Sequence, residues 1–143
     1  MKATESTRWE HFPHGADIGV RGVAPTLAGA FEQAALALTA IVIEPEDLEP
    51  EEEVELACDA TDHELLLIDW LNLVIYEMAT RRMLFGRYEV AIEGSRLVAR
   101  AFGQPIDAEK QELTVEPKGA TYTALSVRRL NDGGWCAECV VDV

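Results

Sequence analysis

The sequence predicts an α+β domain in which antiparallel β-sheets pack with two main α-helices. Three observations predict it. Two segments carry apolar residues at helical spacing, the chain after Met83 alternates apolar with polar residues, and turn signals break that alternation at short intervals. The 143 residues suit one domain spanning 1–143. A domain of that length buries roughly two-thirds of its unfolded surface, enough for a core without disulfides or a structural metal. Residues 1–8 are polar and are expected to be a flexible N-terminus.

The first element is read as a short strand, Ala16–Arg21, with Ala16, Ile18 and Val20 on one face and Asp17, Gly19 and Arg21 on the other. Pro25-Thr26 punctuates the chain, and Thr26 suits an N-cap. A helix over about 26–42 follows, its stripe built from Leu27, Ala30, Phe31, Ala34, Ala35, Leu38, Ile41 and Val42. Glu44 to Glu53 reads as a solvated acidic loop, because Pro45 and Pro50 interrupt it and no regular ligand spacing emerges. Val54, Leu56 and Cys58 mark a strand. Thr61-Asp62-His63-Glu64 is a capping-box pattern opening a second helix over about 62–80. That helix is apolar around most of its circumference, so it should lie between other elements.

Beyond Met83, the alternation pairs Tyr88, Val90 and Ile92 with Leu97, Ala99 and Ala101 across a Gly94-Ser95 turn. Leu113 and Val115 suggest another short strand. Tyr122–Leu130 and Gly134–Val143 read as a final hairpin around Asn131-Asp132-Gly133.

Charge narrows the function classes. Twelve Lys and Arg against 26 Asp and Glu give a net charge of −14. Phosphate neutralisation needs clustered cations, so the chain suits no strong direct contact with nucleic acid. Such a surface fits a basic protein partner or a hard cation, or serves solubility alone. No secretory or lipidation signal is visible, and the longest apolar stretch, Ala34–Ile43, is too short to span a membrane. A cytoplasmic location is expected. Cys136 and Cys139 spell C-x-x-C within an expected strand, where three steps cover about 10 Å and end on the opposite face. Packing therefore suits them better than a disulfide or a shared zinc ion.

Motifs for nucleophilic catalysis, zinc proteases or phosphate loops are absent. One constellation stands out. Asp17 interrupts an apolar strand, and Asp142 interrupts the apolar run Cys139–Val143, beside the terminal carboxylate. A carboxylate in a half-buried strand costs free energy unless it is paired or binds a metal. Three anionic oxygen groups without thiolate suit Ca²⁺ or Mg²⁺. Read from the residues alone, Asp17 as a turn cap and Asp142 as a solvated end is the simpler account and the favoured one.

The run His14-Gly15-Ala16-Asp17-Ile18-Gly19, then Ala30-Phe31-Glu32-Gln33-Ala34-Ala35, resembles the opening of the archease family, whose common form is H-T-A-D-I-G. Glu64 to Asn72 resembles that family's second helix. Gly103 to Asp107, Lys118 to Tyr122 and Val140 to Val143 resemble later motifs, in the same order along nearly the whole chain. The resemblance implies an accessory protein rather than an enzyme. Its partner would be a GTP-dependent RtcB-type RNA ligase, which joins 3′-phosphate and 5′-hydroxyl ends in tRNA splicing and RNA repair. It implies promotion of ligase guanylylation and multiple turnover. It also implies a metal site at Asp17, Asp142 and Val143, with Lys118 a further functional residue. Departures are Gly15 for threonine, Gln104 for glutamate, and Thr123 and the neighbourhood of Gln111 where many members carry histidine. Two alternatives are a small metal-dependent hydrolase with His14 as general base and a chaperone-like protein-binding module.

Overall fold

The computed structural model describes residues 7–107, 113 and 115–143. Among the described residues, eight strands and two α-helices follow in the order β1 (Arg8–His14), β2 (Asp17–Ala24), α1 (Leu27–Val42), β3 (Glu52–Asp59), α2 (His63–Arg81), β4 (Met83–Glu93), β5 (Arg96–Pro105), β6 (Gly119–Ala120), β7 (Ser126–Arg129) and β8 (Trp135–Asp142), with a single 3-10 turn at Pro45–Asp47 before β3. They form two antiparallel sheets. One has the order β1-β2-β8-β6, with β7 also paired to β8, and the other has the order β3-β5-β4. This is the α+β architecture that the sequence predicts.

Both helices start where local chemistry directs. Thr26 accepts the Gly29 N–H at 3.0 Å and closes the first turn of α1. The cap of α2 is Asp62, which accepts the Leu65 N–H at 2.8 Å. Thr61 and Glu64 therefore do not form the expected capping box, and Glu64 instead accepts the Val127 N–H at 3.4 Å. The expected interior position of α2 holds. It touches strands of both sheets, burying Leu66, Leu67, Ile68, Trp70, Leu71, Val74 and Met78 while Asp69, Asn72 and Tyr76 stay exposed.

Small residues bring α1 onto β2. A Cβ at Gly22 would stand 2.1 Å from the Ala30 carbonyl oxygen and 2.3 Å from the Ala34 nitrogen, so only glycine allows this approach. The other flank of α1 meets β4 through a buried polar knot. Thr39, fully buried, donates to the Phe85 carbonyl at 2.7 Å and lies 2.8 Å from the Tyr88 hydroxyl, which can then donate to it. Trp70 donates its indole N–H to the Phe31 carbonyl at 3.1 Å, tying α2 to α1. Each buried polar group here has a partner, without which it would cost about 1–3 kcal/mol.

The central hairpin forms in the expected register: Tyr88 opposite Ala101, Val90 opposite Ala99 and Ile92 opposite Leu97. Other expectations need correction. The first strand is β1, not the segment at Ala16, and it pairs with β2 from Arg8–Val23 to His14–Asp17. Its Pro13 is tolerated because β1 is an edge strand, where a missing N–H breaks no ladder. Of the segment expected to be a flexible N-terminus, residues 1–6 lie outside the described residues and Arg8 already belongs to β1. Leu113 and Val115 are not in a strand, and Thr114 between them lies outside the described residues. The expected long strand from Tyr122 is only Ser126–Arg129, because Leu125 N–H bonds to the Tyr122 carbonyl in a turn where Ala124 has φ 54°. Within that turn the Thr123 carbonyl still accepts the Val140 N–H at 3.0 Å, and the regular ladder with β8 begins at Ser126 opposite Glu138.

Candidate functional site

Motif residues from near the two ends of the chain meet at one end of the five-stranded sheet. His14 ends β1 and faces Asp17, which opens β2, across the two-residue turn Gly15-Ala16. Gly15 has φ +60°, a conformation that glycine adopts without cost. Gly15 follows one strand and leads into another rather than into a helix, so no phosphate cradle forms. The β2–β8 ladder ends with Ile18 opposite Val141, and Asp17 and Asp142 sit one position beyond that pair.

The end of the chain is tied into this corner. Val143 donates its backbone N–H to Asp17 Oδ1 at 3.2 Å, a contact between residues 126 positions apart. Asp17 is half-buried and Asp142 exposed. On the far side of Asp142, the Lys118 N–H donates to the Asp142 carbonyl at 2.8 Å, and Gly119 pairs with Asp142 in the sheet. Asn72 of α2 then holds β6, accepting the Ala120 N–H through its side-chain oxygen at 2.8 Å. The fold therefore brings together His14, Asp17, Asp142, Val143 and the backbone of Lys118. Asn72 is the residue that sequence reasoning left without a role. Its signal was a lone amide on the polar side of an otherwise apolar helix.

The donors at this corner are oxygens. Among the described residues no three His, Cys, Asp or Glu side chains converge closely enough to hold a metal ion. Among the described residues, this corner holds two side-chain carboxylates, Asp17 and Asp142, with Val143 beside them. That set fits a hard divalent cation in chemistry, with waters completing its shell. His14 and Lys118 are both exposed. Two hollows of about 570 and 380 Å³ lie elsewhere, the first against β3, β4 and β5 and the second around Trp9, Leu36 and Pro45. Neither includes His14, Asp17 or Asp142.

The cysteines stand apart from this corner's chemistry. Cys136 lies opposite Val23 and Cys139 opposite Val20, and both are buried without a disulfide. Burial pushes the Cys139 thiol up to about 12 and that of Cys58 to about 11, and it raises Cys136 as well. Thiolate is the reactive form, so native alkylation by iodoacetamide at pH 8 should be far slower than in denaturant. The native rate should climb only as pH rises toward those values. Equal rates in the two states would contradict the burial.

These elements define a small two-sheet α+β domain with two carboxylates at one corner. A profile of the archease protein family matches residues 9–143, and the chain belongs to that family. A relative named protein archease from Thermococcus gammatolerans is 41% identical over 142 residues, covering 95% of this chain and 99% of its own. The one from Pyrococcus furiosus is 36% identical over 140 residues, with the same shares covered. Among solved structures, Methanobacterium thermoautotrophicum protein 1598 superposes with a TM-score of 0.77 at 25% identity, covering 94% of this chain and 98% of that one. An archease from Thermotoga maritima, described as a possible chaperone, superposes with a TM-score of 0.58 at 23% identity, covering 94% and 96%. No helix among the described residues is long and apolar enough to cross a membrane.

Proposed function

We propose that the protein is a cytoplasmic, non-enzymatic accessory factor. It activates a GTP-dependent RtcB-type RNA ligase by promoting guanylylation and multiple turnover in tRNA splicing or RNA repair. Family membership supports the partner. The contact between the Val143 N–H and the Asp17 carboxylate supports the site, because it joins the opening motif to the end of the chain. Asp17, Asp142 and the carboxylate at Val143 are the groups that would hold Ca²⁺ or Mg²⁺ there. A bound cation supplies a fixed positive charge on an otherwise acidic surface, where it can meet a nucleotide or an acidic group of the ligase. Lys118 adds a side-chain cation at the same end of the sheet. The net charge of −14 leaves RNA to the ligase rather than to this protein.

A ligation assay tests the reading. Catalytic amounts of the protein should increase multiple-turnover joining of 3′-phosphate and 5′-hydroxyl RNA by the cognate ligase, and should increase ligase guanylylation at limiting GTP. The protein alone should join, cleave or hydrolyse nothing. Equal ligase turnover with and without it would sink the assignment. A chaperone-like role is the second reading, since the similar archease from Thermotoga maritima is described as a possible chaperone. It predicts binding to varied unfolded proteins, unchanged by chelation of metal.

A further inference from the structure

The two edges of the three-stranded sheet are finished differently. At β4, α1 closes the edge: Glu32 accepts the Val90 N–H at 2.8 Å, and Thr39 donates to the Phe85 carbonyl at 2.7 Å. At β3 the edge is open. Among the described residues, no group hydrogen-bonds to the outward main-chain N–H and C=O groups of Glu52–Asp59. A row of unpaired main-chain groups on a strand of eight residues is a template for one more strand.

Charge decides what can use that template. Glu52, Glu53, Glu55 and Asp59 are all exposed along β3, and the preceding loop adds exposed Glu44, Glu46, Asp47, Glu49 and Glu51. The cations against β3 are few: Arg96 reaches Asp59 at 3.4 Å and Arg100 reaches Glu53 at 3.8 Å. A second copy of this chain added at the edge would set glutamates against glutamates, which cross-strand pairing disfavours. Nucleic acid and anionic lipid are repelled by the same charges. A basic strand is attracted.

The surface beside the edge also suits a strand with alternating character. Ala57, Val98 and Ala91 form one cross-strand row on the outer face, and Val98 is 45% exposed. They floor the hollow of about 570 Å³, which the row Glu55, Arg100 and Glu89 borders on one side. Small side chains thus leave room over the sheet next to β3, with carboxylates at the rim.

We propose that β3 is a docking edge for an extended, basic segment of a partner protein, which joins the sheet as a fourth strand. Main-chain hydrogen bonds supply the pairing, and alternate Lys or Arg side chains meet Glu53, Glu55 and Asp59. The edge lies in the other sheet from Asp17 and Asp142, so this interaction depends on neither the cation nor the ligase.

The test uses a fluorescein-labelled peptide, Lys-Val-Lys-Val-Lys-Val-Lys, followed by anisotropy and by amide exchange of the whole protein. The comparison peptide carries proline at each valine, keeping the charge while removing strand donors. Expected is binding about tenfold or more tighter for the valine peptide, with slowed exchange confined to amides of Glu52–Asp59. The double variant Glu55→Lys, Asp59→Lys should fold normally, since both side chains are exposed, and should lose binding about tenfold. Equal binding of the two peptides, no binding, or protection elsewhere overturns the proposal. So does a concentration-dependent dimer whose β3 amides are protected without peptide, because the edge would then belong to a second copy.

Discussion

Alanine at Asp17 or at Asp142 is expected to remove both cation binding and ligase activation while leaving the helices intact. Even loss of an outer-shell partner weakens a metal by roughly 10–100-fold, and these carboxylates are proposed as direct ligands. Titration calorimetry with Ca²⁺ and Mg²⁺ should show at least that loss, with circular dichroism unchanged. Asp17 also accepts the Val143 N–H, so alanine there removes a structural tether as well as a charge. Asp17→Asn separates the two roles, because its amide oxygen still accepts that N–H while the charge is gone. If Asp17→Asn binds the cation and activates as well as wild type, the metal mechanism fails and only the tether remains. Residues added after Val143 should weaken the cation by moving the third carboxylate away. Lys118→Ala should reduce activation without affecting cation affinity.

The second large effect concerns stability. Gly22→Ala should destabilise the fold by about 3 kcal/mol or more, and Gly22→Val should prevent folding, against a total stability of about 5–15 kcal/mol for a domain. The added Cβ meets backbone atoms of α1 at 2.1 and 2.3 Å, which cannot swing aside as a side chain could. Helix α1 would have to leave β2, the strand that Asp17 opens. Gly94→Ala is the control. Gly94 has φ +62° but open space around its Cβ position, so it should cost only about 1–2 kcal/mol of backbone strain. Urea unfolding measures both. A Gly22→Ala loss no larger than that of Gly94→Ala would mean the helix moves freely off the sheet.

What the sequence determined by itself was local. Both helices fall within one residue of their expected bounds, at Leu27–Val42 and His63–Arg81, because helical periodicity and capping residues act over a few positions. The β4–β5 register was legible for the same reason, since a two-residue turn at Gly94-Ser95 sets which apolar residues face each other. Asp17 and Asp142 could be picked out because each adjoins an apolar run, although the structure puts both at strand ends, with Asp142 exposed.

Tertiary structure decided the rest. Strand β1 has too few apolar residues to announce itself, and it exists because β2 offers it a ladder from Val23 to Asp17. Thr39 reads as an ordinary polar residue in an apolar helix, and only the approach of β4 gives it Phe85 and Tyr88 as partners. Above all, the meeting of Asp17 with Val143 depends on β2 pairing with β8 across most of the chain's length. Periodicity reports which face a residue presents, but it carries no record of the distant segment that will come to lie beside it. That choice is made by the burial and hydrogen bonding of the assembled sheet, in which Val20, Cys139 and Val141 disappear from water together.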